Sequence, residues 1–199
     1  MASGQPRGPY AKGLAKREQL LTEALAAYGE TEGEPPSLKA ISARVGLSER
    51  GLLHYFGSRN ALFSQILTER DRRLREAYDT SGPAEELLAA VARQAQTPGL
   101  GRIYVEMAAT SVPGTPSHDF FERHFQELTA DIVRMLEVPI DEAPEVSATA
   151  DQYEFVARIL IAAADGLQLR SLSDTSIDLP SDLVRLLRVM RAALADTDI

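Results

Sequence analysis

Glu49, Arg50, Gly51 and His54 fall on one side of a short segment whose remaining positions, Leu47, Leu52 and Phe56, are apolar; no other stretch of this sequence concentrates so much chemistry. A second short segment, Ser37 to Val45, precedes it across Gly46, and Ser37 and Ser48 stand where a hydroxyl caps the first turn of each. The spacing predicts two short helices meeting at a glycine turn, with Leu38, Ile41, Val45, Leu47, Leu52 and Phe56 as their shared core. A helix of this size, polar at its outer N-terminal face, fits the DNA major groove, which is about 12 Å wide. A plain helical hairpin has the same periodicity, so spacing alone leaves both readings open.

Other chemistries find little support. The chain has no cysteine, which excludes disulfides, thiolate metal sites and a cysteine nucleophile together. The three histidines, at 54, 118 and 124, are scattered. His118 and Glu122 have the i, i+4 spacing of a two-ligand metal contact, but two ligands do not make a metal site, and no metal or cofactor is expected. There is no Gly-x-Ser-x-Gly elbow and no phosphate-binding glycine loop. An enzyme would have to draw on Glu106, His118 and Asp165, which form no recognised motif, and the expectation is that the protein is not one.

The elements that must position these residues are helices. Apolar residues recur at three- and four-residue spacing along most of the 199 residues, and strand signals are nearly absent. The pattern predicts an all-α chain of about nine helices. The first runs over about 13–28, with Leu20, Leu21, Ala24, Leu25 and Tyr28 inward; the two short ones follow, the second ending near His54. A long helix begins after Ser58 and carries Leu62, Phe63, Ile66, Leu67, Leu74 and Tyr78. Others are expected at about 83–96, 99–111, 117–137, 149–173 and 179–195, separated by proline- and glycine-containing turns. A boundary near Arg70 divides the chain into a small module, residues 10–70, and a larger one, residues 71–199.

The net charge of −8 is unevenly spread: residues 1–70 hold nine Lys/Arg against seven Asp/Glu (+2), the remainder twelve against twenty-two (−10). Only the first part approaches polyphosphate without strong repulsion. No apolar run reaches the roughly 18 residues that span a bilayer, and Met1 to Pro9 lacks a signal peptide's apolar core. A cytoplasmic protein without membrane contact is the expectation.

In Ile41-Ser42, Gly46-Leu47-Ser48, Leu52, Tyr55-Phe56, Ser58-Arg59 and Leu62-Phe63, over about residues 13–70, the sequence resembles the TetR family of bacterial transcriptional regulators. The resemblance implies a helix-turn-helix that binds a palindromic DNA operator as a homodimer, usually as a repressor released by a small-molecule effector. It also implies that Ser37, Ser48, Tyr55 and Arg59 hold phosphate, while Arg50 and His54 read bases and Glu49 accepts from cytosine or excludes other sequences; for Arg50, phosphate contact and plain solvated surface stay open beside base reading. Lys12, Lys16 and Arg17 are either further backbone grips or plain surface. Three positions depart from the commonest pattern: Gly51 where a small hydroxyl residue is frequent, Leu53 where tyrosine is, and Arg59 for lysine. Arg59 keeps the charge and gains bidentate reach; Gly51 weakens its helix by up to about 1 kcal/mol.

Two regions beyond residue 71 suit regulation. Ile103, Tyr104, Met107, Phe120, Phe121 and Phe125 either line an effector pocket or are ordinary core, with Glu106 and His118 as polar anchors in the first case. Phe155, Ile159, Leu160, Ala163 and Leu167, then Leu183, Leu186, Leu187, Met190 and Leu194, give the last two helices apolar faces for each other or for a second subunit. Ala164 to Leu169 resembles the family's dimer-forming helix.

Overall fold

The computed structural model describes residues 9–30, 36–77, 88, 97–137 and 148–195. Among these the chain is all-helical, with no strand, in the order α1 (Pro9–Gly29), α2 (Leu38–Arg44), α3 (Glu49–Phe56), α4 (Arg59–Ala77), α5 (Pro98–Ala109), α6 (Pro116–Glu137), α7 (Ala150–Ser171) and α8 (Leu179–Ala195). The helix expected at 83–96 lies outside the described residues apart from Leu88, and Tyr78 lies outside them too.

Local chemistry sets the helix starts. Ser37 Oγ accepts from the Ala40 amide at 3.1 Å, Ser48 Oγ from Gly51 at 3.0 Å and Ser58 Oγ from Ala61 at 3.0 Å. Each satisfies a donor that the first helical turn leaves without a backbone partner. Thr149 and Gln152 form a reciprocal capping box at the start of α7. Gly46 sits at φ +69° and Gly57 at φ +87°, backbone that side-chain-bearing residues resist. These two positions fix the turns on either side of α3, which runs two residues past the expected end at His54.

Packing gathers into two clusters. The first joins Leu20 and Tyr28 of α1, Ile41 of α2, Leu52 and Phe56 of α3, and Leu62, Phe63, Ile66 and Leu67 of α4. It continues without a break into Leu100, Ile103, Tyr104 and Met107 of α5 and Phe120 and Phe121 of α6. Each fully buried aliphatic here contributes about 1.5–3 kcal/mol by leaving water. The second holds Leu88, the end of α6, and the inner faces of α7 and α8.

The second cluster corrects one expectation. Leu183 and Leu187, named for a face that covers either its neighbouring helix or a second subunit, are 2% and 0% exposed and pack inside the chain, which takes them out of the expected subunit interface. Leu179, Leu183 and Leu187 form an i, i+4 stripe, and α8 turns that stripe inward against α7. Ala163, Leu167 and Met190 lie partly buried at the margin of the same cluster. On these two helices the large apolar groups facing outward are Phe155, Ile159 and Leu169 of α7 and Val189 of α8.

Candidate nucleic-acid interface

Helices α2 and α3 are joined by a turn in which the Leu47 amide donates to the Ser42 carbonyl at 2.9 Å. Leu52, fully buried, and Phe56 anchor the inner face of α3. That orientation sends Glu49, Arg50 and His54 into solvent, and Arg50 has neither hydrogen bond nor ion pair among the described residues. Tyr55 is half-buried, packs on the first cluster and meets His54 edge to face, 6.1 Å between centroids.

Gly51 has an intramolecular reason. A Cβ there would stand 3.3 Å from Ser48 Oγ, the oxygen that accepts the Gly51 amide. The cap leans over the position, so glycine keeps it uncrowded at the cost of some helix propensity.

Around this face, charges are unequally available. Arg44 is held by Glu30 at 2.5 and 2.8 Å and by Glu23 at 3.3 Å. The Arg44 hydrogen bonds keep the Glu30 carboxyl below its usual range. Lys16 reaches Gln19, and the Arg17 guanidinium rests 5.5 Å from the centre of the Phe56 ring. Arg17 therefore lies beside α3, on the adjoining helix, whereas Lys16 is paired within α1.

Arg59 opens α4 at the same end of the molecule. Its guanidinium lies 4.8 Å from the centre of the Phe63 ring and engages Glu106 of α5 with both terminal nitrogens, Nη1–Oε1 at 3.1 Å and Nη2–Oε2 at 3.3 Å. This corrects the placement of Glu106 as an anchor inside a pocket: its carboxylate is on the surface, turned toward α4. Phe125, also expected inside, is 37% exposed and stacks on Phe121 at 5.7 Å. Tyr104, Met107 and Phe121 are buried in the first cluster. His118 is half-buried near the start of α6, and no group of three His, Asp or Glu that could hold a metal occurs among the described residues.

Sequence reasoning missed a buried polar knot joining four helices. On α4, Arg70 donates through Nε and Nη2 to Asp71 Oδ1 at 2.8 and 2.7 Å, and His124 Nδ1 of α6 donates to Asp71 Oδ2 at 2.7 Å. Tyr104 of α5 donates to Asp165 of α7 at 3.0 Å, and the Arg70 guanidinium lies 5.7 Å from the Tyr104 ring centre. The two carboxylates respond oppositely. Burial pushes Asp71 up, but the charge of Arg70 and the hydrogen bond from His124 outweigh it and hold Asp71 below the usual range. Burial pushes Asp165 above that range despite the hydrogen bond from Tyr104. The signal was present in the sequence: the inward stripe Phe63, Ile66, Leu67 continues at helical spacing to Arg70 and Asp71.

No family model matches the sequence, and no curated protein matches it. Solved structures do. One is a transcriptional regulator from Rhodococcus sp. Rha1, at 18% identity and a TM-score of 0.61 over 89% of this chain and 95% of that one. Another is a TetR-family transcriptional regulator from Streptomyces coelicolor, at 20% identity and a TM-score of 0.63 over 91% of this chain and 80% of that one. The chain has the TetR fold. The capped α2–Gly46–α3 unit has the form expected from Ile41, Gly46, Ser48, Tyr55 and Phe56: two short helices meeting at a glycine turn.

Proposed function

We propose that the protein is a TetR-type, DNA-binding transcriptional regulator that acts as a homodimer on a palindromic operator and is released from it by a small molecule. The observation that carries the reading is α3 itself: doubly fixed by the Ser48 cap and the Gly46 turn, it presents Glu49, Arg50 and His54 to solvent, with Arg50 unpaired among the described residues. Arg50 and His54 read base edges; Ser37, Ser48, Tyr55 and Arg59 address phosphate, with Lys16 and Arg17 on α1 as further grips, and Gly51 leaves the DNA-facing side of α3 open to close backbone approach. The amides at the starts of α2 and α3 favour the same anion.

Dimerisation falls to α7 and α8. Phe155, Ile159, Ala162, Gly166 and Leu169 follow helical spacing along the outer face of α7, and Val189, 65% exposed, continues it on α8. A side chain at Gly166 would meet no described atom within 4 Å of its Cβ, so the glycine leaves room for close approach of a second helix. A two-fold dimer would set two copies of α3 in successive major grooves, about 34–36 Å apart or somewhat more. The effector would act among α4 to α7, where the knot around Asp71 and Asp165 joins the helices that must shift. A coupling of about 1–3 kcal/mol changes operator affinity 5–150-fold. The role is binding and not catalysis.

Selection from a random duplex pool tests the reading. The expected product is an inverted repeat, bound in preference to competitor DNA at moderate salt; a pool that stays unenriched would overturn it.

A further inference from the structure

Arg59 is the proposed phosphate contact whose hydrogen-bonding edge is already occupied. Both of its terminal nitrogens face the two oxygens of Glu106, the fork-to-fork arrangement a guanidinium also adopts on phosphate. The two acids therefore compete for one edge of one side chain. Stacking on Phe63 fixes the plane of the guanidinium, and Tyr28, fully buried, meets Phe63 edge to face at 6.2 Å. The pair thus rests on an apolar floor, with its other side open to water. Burial holds the Tyr28 hydroxyl well above its usual range, so the floor beneath the pair stays uncharged and adds no second anion to compete with Glu106 for Arg59.

We infer that Glu106 is an internal stand-in for phosphate, which holds Arg59 in the free protein and must release it for DNA to bind. The inference rests on the DNA-binding reading above and adds a regulatory residue to it. Glu106 weakens DNA binding in two ways: its carboxylate must be displaced from Arg59, and its charge repels the incoming backbone. Its position on α5 gives the contact a second input. Two residues earlier, Tyr104 points to the other side of the same helix and donates to Asp165 of α7. A shift of α5 relative to α4 that strengthens the Glu106 contact lowers DNA affinity, and one that breaks it raises affinity.

The test is a set of anisotropy titrations of a labelled 30-base-pair duplex of arbitrary sequence, at low and moderate salt, with wild type, Glu106→Gln, Arg59→Gln and the double variant. All three variants are surface changes, and melting curves check that each protein is folded. Glu106→Gln is expected to tighten binding about 3–10-fold, Arg59→Gln to weaken it, and the double variant to match Arg59→Gln, because without Arg59 there is nothing for Glu106 to occupy. Wild-type binding that Glu106→Gln leaves unchanged or weakens would overturn the inference alone, making Glu106 a support for Arg59. A gain that persists in the double variant would overturn it as well, reducing Glu106 to a repelling charge. No binding by any folded variant would overturn the DNA-binding reading itself.

Discussion

Helix α4 carries two arginines that pair with carboxylates in opposite surroundings. Arg59, at its start, meets Glu106 across a half-solvated surface, with side-chain exposures of 56% and 49%; Arg70, eleven residues on, meets Asp71 in the interior, where His124 also bonds Asp71. Exposed pairs are worth at most about 1 kcal/mol because water screens them and ordering two long side chains opposes them. A buried pair is different: losing one partner strands a charge where no water can reach it. The contrast separates an exchangeable contact, suited to a competitor such as phosphate, from a fixed one that holds helices together.

The largest effect should come from breaking the interior pair. Asp71→Ala is expected to cost about 3–5 kcal/mol in chemical denaturation, since it strands Arg70 and removes the acceptor of His124. A loss below about 1 kcal/mol would erase the distinction between the two arginines. Removing both charges sharpens the point: Arg70→Met with Asp71→Leu should be markedly less destabilising than Asp71→Ala alone, and an equal or larger loss would mean the pair itself stabilises the fold.

A smaller effect with a definite sign belongs to pH. Asp71 is held below its unfolded value, so its stabilising contribution is present above the usual carboxylate range and disappears as pH falls through the folded value. Asp165 is raised, so its contribution is present when protonated and is lost as pH rises through the folded value. Asp165→Asn should therefore raise the melting temperature near pH 8 and leave it unchanged near pH 3. A variant less stable than wild type near pH 8 would contradict that sign. Smallest of all, Glu106→Gln should shift stability by no more than about 1 kcal/mol in the same denaturation, with the difference shrinking as salt is added.

How far the sequence reaches is instructive at particular positions. Ser37, Ser48, Ser58, Gly46 and the inward stripe of α4 were legible because capping, positive-φ turns and helical spacing are local properties. Leu183 and Leu187 were legible as an apolar face, but periodicity says only that a face is apolar, not whether α7 or another chain covers it. Glu106 was assigned to a pocket because it neighbours Tyr104 and Met107, yet adjacent residues on a helix point about 100° apart and its partner lies 47 residues away. His124 looked isolated for the same reason: Asp71, its acceptor, is 53 residues upstream.

The central claim is that the outward face of α3 reads DNA through Arg50. The direct measurement is the affinity of Arg50→Ala for an operator recovered by selection, beside its affinity for unrelated duplex. The account predicts a loss of about 1–3 kcal/mol on the operator and a much smaller loss on unrelated DNA. Equal affinity of the variant and the wild type for the operator would contradict it.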